Sequence, residues 1–255
     1  MAEHSGIQWT HHTFNPWIGC TKVSAACDFC YAEAWDKRGM HGLPSRWGPH
    51  AERTRTKDWS KPLRWQKAAK ATGERYRVFC ASLADVFDNH KSILPEWQED
   101  LWSLIRKCPD LDWLMLTKRP QNILRYLPSD WGTGYHNVWL GATVESQKEA
   151  DRLASLTAIP ATVRFLSMEP LMGDVDLTRF INKINWVITG GESGANYRPV
   201  NPDWFRSLRD QCAAAEVPFL FKQWEGANQR VIHAKGRALD GVVHDEYPSP
   251  LLEPA

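Results

Sequence analysis

The chain has 255 residues, 43% hydrophobic and 24% charged, an ordinary composition for a globular protein and enough length for one large α/β domain or two small ones. Its net charge of +1 excludes a molecule-wide attraction to polyanions. No apolar run approaches the roughly eighteen residues of a membrane span, and MAEHSGIQWT lacks a secretory pattern, so the expectation is a cytoplasmic protein with no membrane partner.

The first feature in chain order is NPWIGCTKVSAACDFCYAE, residues 15–33, which holds Cys20, Cys27 and Cys30, half of the six cysteines. In a reducing compartment, clustered thiols read as metal ligands or redox groups more readily than as disulfides. Thiolates suit zinc or an iron–sulfur cluster. A structural zinc needs a fourth ligand, for which His11, His12, His41 and His50 are candidates. Three thiolates on a [4Fe–4S] cluster instead leave one iron open, and the amino and carboxylate groups of S-adenosylmethionine (SAM) can chelate it. Phe29, just before Cys30, supplies the aromatic that the radical-SAM pattern usually carries there, whereas the six residues between Cys20 and Cys27 make a longer gap than that pattern has. Cys80, Cys108 and Cys212 are scattered through apolar or helical segments and read as buried thiols.

The next stretch, 44–70, is locally basic: Arg46, Arg53, Arg55, Lys57, Lys61, Arg64, Lys67 and Lys70 stand against Glu52 and Asp58. Trp47, Trp59 and Trp65 are interleaved with these cations. Such a mix suits a nucleic-acid backbone with exposed bases, and equally a solvated helix whose tryptophans face a core.

Beyond it, apolar runs rich in β-branched and aromatic residues predict strands at 77–82, 112–117, 137–144, 162–169, 185–191 and 218–224. Trp97, Leu101, Leu104, Ile105 and Cys108 keep helical spacing after Pro95; 145–156 and 201–215 also read as helices, with Asn201 as a cap. Strands alternating with helices predict a parallel sheet, either a full or partial βα barrel or a doubly wound open sheet. The expected domain is 1–225, with an insertion at 40–70, followed by an extension at 226–255 containing a small hairpin and a proline-rich end. Nearly every strand ends in a charged or hydroxyl side chain, as expected of a pocket at the C-terminal ends of parallel strands: Ser82 and Asp85, Lys118 and Arg119, Thr143 and Glu145, Glu169, then Glu192.

The run QWTHHTFNPWIGCTKVSAACDFCYAE, followed by CASLADVFD, MLTKRP, WLGATVES, FLSMEPLMG, VITGGESG, FLFKQWEG and GRALDG, resembles a phage and bacterial three-cysteine-motif family, catalogued as uncharacterised phage proteins and regarded as radical-SAM-like. The resemblance implies a (β/α)6 partial TIM barrel with Cys20, Cys27 and Cys30 on a [4Fe–4S] cluster. It further implies Phe29 and Tyr31 near the adenine of SAM and Ser82 and Asp85 near its amino group. Lys118 or Arg119 would meet the carboxylate, Thr143 or Glu145 the ribose, and Glu169 and Glu192, as the catalytic residues, the substrate or the adenosyl group. The expected activity is formation of a 5′-deoxyadenosyl radical that modifies or isomerises an amino-acid-modified thymine in phage DNA, with Arg46, Arg53, Arg55, Lys57, Lys61 and Arg64 along the nucleic acid and a cellular one-electron donor as partner. The competing expectations are a radical-SAM enzyme acting on RNA or a small metabolite, and a zinc-stabilised binding module without activity.

Overall fold

The computed structural model describes residues 5–39 and 44–248. His41 and most of the proline-rich end fall outside the described residues. The chain divides into two compact units, one up to Trp139 and one from Leu140 onward.

The first unit contains β1 (His12–Phe14), β2 (Trp17–Ile18), α1 (Tyr31–Gly39), β3 (Thr54–Arg55), α2 (Lys61–Thr72), β4 (Tyr76–Cys80), α3 (Pro95–Arg106), β5 (Leu111–Thr117) and α4 (Ile123–Tyr126). Its main sheet is parallel in the order β1-β4-β5, with His12 opposite Val78 and Val78 opposite Trp113. The β5 sequence LDWLMLT is apolar almost throughout because both faces of a parallel sheet are covered. β2 and β3 form a separate antiparallel pair.

Proline in the first turn starts α2 and α3, and Gly73, at φ 71°, closes α2 in the left-handed conformation. Trp65 on α2 is 2% exposed and stacks on His12, ring centroids 4.3 Å apart. This tryptophan is therefore a core residue, not a platform for bases. Phe14 meets Trp59 and Trp113 edge-on at 5.5 and 5.8 Å, so the tryptophan-rich composition is accounted for in part by this aromatic core.

β6 (Val138–Thr143) carries the chain into the second unit, which continues with α5 (Arg152–Thr157), β7 (Val163–Met168), β8 (Trp186–Gly190), α6 (Pro202–Ala214), β9 (Phe219–Gln223), α7 (Gln229–Lys235), β10 (Ala238–Leu239) and β11 (Val242–Val243). Its sheet order is β6-β7-β8-β9, and β7, β8 and β9 run parallel. Gly141 on β6 lies against the Phe165 ring of β7; a Cβ there would come within 2.4 Å of it. The Asn201 side chain accepts from the Asp203 N–H at 3.0 Å, the expected cap of α6.

The six expected strands are all present, together with β1 before the cysteine loop. Strands alternating with helices make the chain a mixed α/β protein, compatible with a partial TIM-barrel-like fold. The helix expected over 145–156 is interrupted: a 3-10 turn at Gln147–Glu149 precedes α5. The Ser146 hydroxyl bonds Glu149 at 2.6 Å, and the Glu145 carbonyl accepts from Met172 N–H at 2.7 Å, which ties down the start of the segment. The hairpin expected near the C-terminus is β10–β11, turned by Asp240 and Gly241 at φ 53° and 81°. Two positive φ values suit the short turn that an Asp-Gly pair favours. The helix α7 before it, capped by the Asn228 side chain, was not expected.

Candidate metal centre

The cysteine loop leaves β1 at its C-terminal end, where parallel α/β proteins build their sites. Gly19, at φ 117°, donates its N–H to Leu83 O at 3.0 Å, and a Cβ at this position would stand 2.5 Å from Arg46 O. Only glycine fits this crossing. Cys20 O then accepts from Gly48 N–H at 2.9 Å, so the first cysteine is held between 46–48 and 83–84. Cys27 closes a 3-10 turn, with its Sγ 3.8 Å from Ser24 Oγ, and Cys30 immediately precedes α1.

Beneath Cys20 lies a buried row of alternating charges. Arg119 Nη1 donates to Cys20 Sγ at 3.7 Å and to Asp85 Oδ2 at 3.0 Å, while its Nη2 donates to Thr21 O at 2.6 Å. Asp88 stands between two arginines, 3.9 Å from Arg119 Nε and 2.9 Å from Arg53 Nε. Arg53 Nη2 donates to Thr21 Oγ1 at 2.6 Å, and its Nη1 serves the carbonyls of Arg46, Gly48 and Ala51. Two cations thus grip the residue that follows Cys20.

Burial pushes the Cys20 thiol up to about 12, with Asp85 adding to the shift and Arg119 opposing it. Burial also raises Cys30, against which neighbouring backbone N–H groups and the charge of Lys118 act. Burial disfavours the charge of Arg119 too, yet Asp85, Cys20 and Asp88 together raise its pKa, so it stays cationic.

The donor set fits a thiophilic metal or cluster: three thiols on one loop, two of them beside cationic side chains. Among the described residues no group of three or more His, Cys, Asp or Glu side chains is arranged as a ready metal site. Of the histidines proposed to complete a zinc site, His11 accepts from Arg77 N–H at 2.8 Å and His12 stacks on Trp65.

The expected cofactor residues divide. Phe29 is exposed, and Tyr31 donates its hydroxyl to Ser82 O at 2.8 Å, tying α1 to the end of β4. Ser82 Oγ accepts from Asn15 Nδ2 at 3.1 Å, and Lys118 is half-buried. Asp85 is 5% exposed, and its oxygens accept from Thr117 Oγ1, the Phe87 and Lys118 N–H groups and Arg119. Arg119 likewise turns to Asp85 and Cys20 rather than presenting an open fork. Asp88 and Thr21 were missed; nothing in their spacing from Cys20 marks them, because the row exists only once β4 and β5 are side by side.

Thr143, Glu145, Glu169 and Glu192 belong to the second unit, and each carboxylate has a cation. Glu145, 1% exposed, accepts from Arg152 at 2.6 Å, whose Nη1 also meets Thr143 O at 2.8 Å. Glu192 is bound by the backbone N–H, Nε and Nη2 of Arg198. Glu169, less buried, pairs with Lys222 at 2.6 Å.

In the basic stretch, Arg53 is withdrawn from solvent, with its donors occupied by Asp88, Thr21 and backbone carbonyls. Arg46 is clamped on the buried Asp36, with Nε 2.6 Å from Oδ1. Arg55 lies 4.3 Å over the Trp59 ring and pairs with Asp100, and Lys61 pairs with Asp58. Lys57 and Arg64 are exposed.

The family described as "Protein of unknown function (DUF5131)" matches residues 4–248. The chain belongs to the DUF5131 family. No curated protein and no solved structure matches it. Among the described residues no helix is long and apolar enough to cross a membrane.

Proposed function

We propose that this DUF5131 protein is a radical-SAM enzyme of the partial-barrel kind, with Cys20, Cys27 and Cys30 holding a [4Fe–4S] cluster. The observation that carries the reading is the three-thiol loop at the C-terminal end of β1, with Arg119 bonded to Cys20 and Lys118 close enough to Cys30 to oppose its rise in pKa. When bound, the cluster would supply the electron that cleaves SAM to a 5′-deoxyadenosyl radical.

The chain's own residues would bind, orient and shield. Phe29 and Tyr31 offer aromatic faces beside the loop, with Tyr31 fixed through Ser82. Lys118, half-buried near Cys30, is the better placed cation to meet a carboxylate, since Arg119 is committed to Asp85. Glu169, paired with Lys222 and less enclosed than Glu192, is the better placed of the two carboxylates to exchange its partner for a substrate group.

The proposed substrate is an amino-acid-modified thymine in phage DNA, isomerised at an unactivated C–H bond. Support comes from the exposed Lys57 and Arg64 and from Arg55 on Trp59, a basic and aromatic surface suited to phosphate and base. A duplex would have to present its base by flipping or opening. The protein would then act in the cytoplasm of the host.

The test is anaerobic reconstitution with iron and sulfide, then incubation with SAM and a reductant. About four irons per chain and release of 5′-deoxyadenosine support the reading. Colourless protein with about one zinc, unfolding on chelation, would establish the binding-module alternative instead.

A further inference from the structure

We infer that Arg119 is the positioning residue of the first cluster ligand: its guanidinium fixes Cys20 and donates an N–H to its sulfur, and so raises the reduction potential of the bound cluster. This rests on the reading of the three thiols as cluster ligands.

The geometry is that of a fork serving several acceptors at once. Nη1 meets both Cys20 Sγ and Asp85 Oδ2, and Nη2 meets Thr21 O. The fork is itself aimed: Arg119 N–H donates to Thr117 Oγ1 at 2.8 Å, and Thr117 Oγ1 donates to Asp85 Oδ1 at 2.7 Å. Asp88 closes the row from the far side and shares its carboxylate with Arg53, which holds Thr21 through Oγ1. Cys20 therefore has a donor on its sulfur and a tether on the next carbonyl, both from one side chain. Lysine, a point charge without a fork, cannot supply both. Hydrogen bonds to ligand sulfur withdraw electron density from a cluster and make it easier to reduce, and residues that orient a metal ligand are part of the site's tuning.

The experiment compares wild type with Arg119→Lys and Arg119→Gln, each reconstituted anaerobically. Iron and sulfide content, circular dichroism and the reduction potential from a spectroscopically monitored titration are read for each. Lysine keeps the charge and loses the fork; glutamine keeps a planar donor and loses the charge. The expected result is folded protein in which both variants bind the cluster at a lower potential than wild type. If the Arg119→Lys potential equals that of wild type, charge alone suffices and the inference is overturned. Should one variant fail to fold, the other carries the comparison, an unmoved potential again overturning the inference. A wild type that takes up no iron overturns the functional reading and this inference together, an outcome distinct from a loaded wild type with indifferent variants.

Discussion

Asp85 accepts a hydrogen bond from the Thr117 hydroxyl at 2.7 Å, joining the residues that follow β4 to the last residue of β5. Asp85 is also paired with Arg119, and the whole group is buried. Removing its charge leaves Arg119 with an unbalanced partner set. Asp85→Asn is expected to destabilise the protein by about 3 kcal/mol, within the range for breaking a buried pair. Thr117→Val, which deletes two buried hydrogen bonds, the one given to Asp85 and the one accepted from the Arg119 N–H, should cost about 2 kcal/mol. Urea denaturation of both variants checks the order as well as the size.

Cysteine identity separates ligand from filler. Cys27→Ala should lose the bound iron and the activity together, whereas Cys212→Ala, in the buried face of α6, should keep its iron. Full iron retention in Cys27→Ala would remove that thiol from the ligand set.

Thiol titration offers a second separation, in metal-free protein. Burial pushes Cys20, Cys108 and Cys212 up to about 12 each. At pH 8 each then holds roughly one part in ten thousand as thiolate, so native protein should resist alkylation at these positions until it unfolds. Because the unfolded chain loses its thiol protons first, stability should decline as pH rises past the ordinary thiol value of 9.0. Mass mapping of alkylated peptides, with and without urea, reads the first effect, and thermal melts against pH read the second.

The acid side has a different reporter. Asp240 accepts from Arg206 and Arg209, whose hydrogen bonds and charges lower its pKa to about 2. Its contribution is present above the unfolded value of 3.8 and fades as pH falls through about 2. The pair is exposed, so the effect is small. Asp240→Asn should flatten the acid limb of the stability profile without changing the neutral plateau by much.

A salt series tests the basic face. Replacing Lys57 and Arg64 by alanine should weaken DNA binding across all sequences and reduce the salt slope by about one for each phosphate left without its cation. Arg53→Ala should instead lower stability, because its role is internal. Unchanged binding in the double variant would move the nucleic acid, if bound, to another face.

The six strands from 77 to 224 were legible because apolar runs bounded by turn residues are a local signal, and the Asn201 cap was legible because it too depends on neighbours in sequence. The cysteine loop was visible as spacing. What the chain order hides is partnership: Asp88 meets Arg119 and Arg53 only through the pairing of β4 with β5 and the return of 46–53 across the loop. Charged strand ends are evident in the sequence as a class, yet Asp85, Glu145 and Glu192 have neighbouring protein cations as their partners. Charge in sequence does not say whether a carboxylate faces a ligand or an arginine.

Gly141 and Phe165 occupy, between them, the space of a single large side chain. Neither position is then free to drift alone. A methyl group arriving at 141 meets the Phe165 ring and calls for a smaller side chain at 165. Within the DUF5131 family these two sites should change as a couple, a bookmark of shared history written into the strand pair itself.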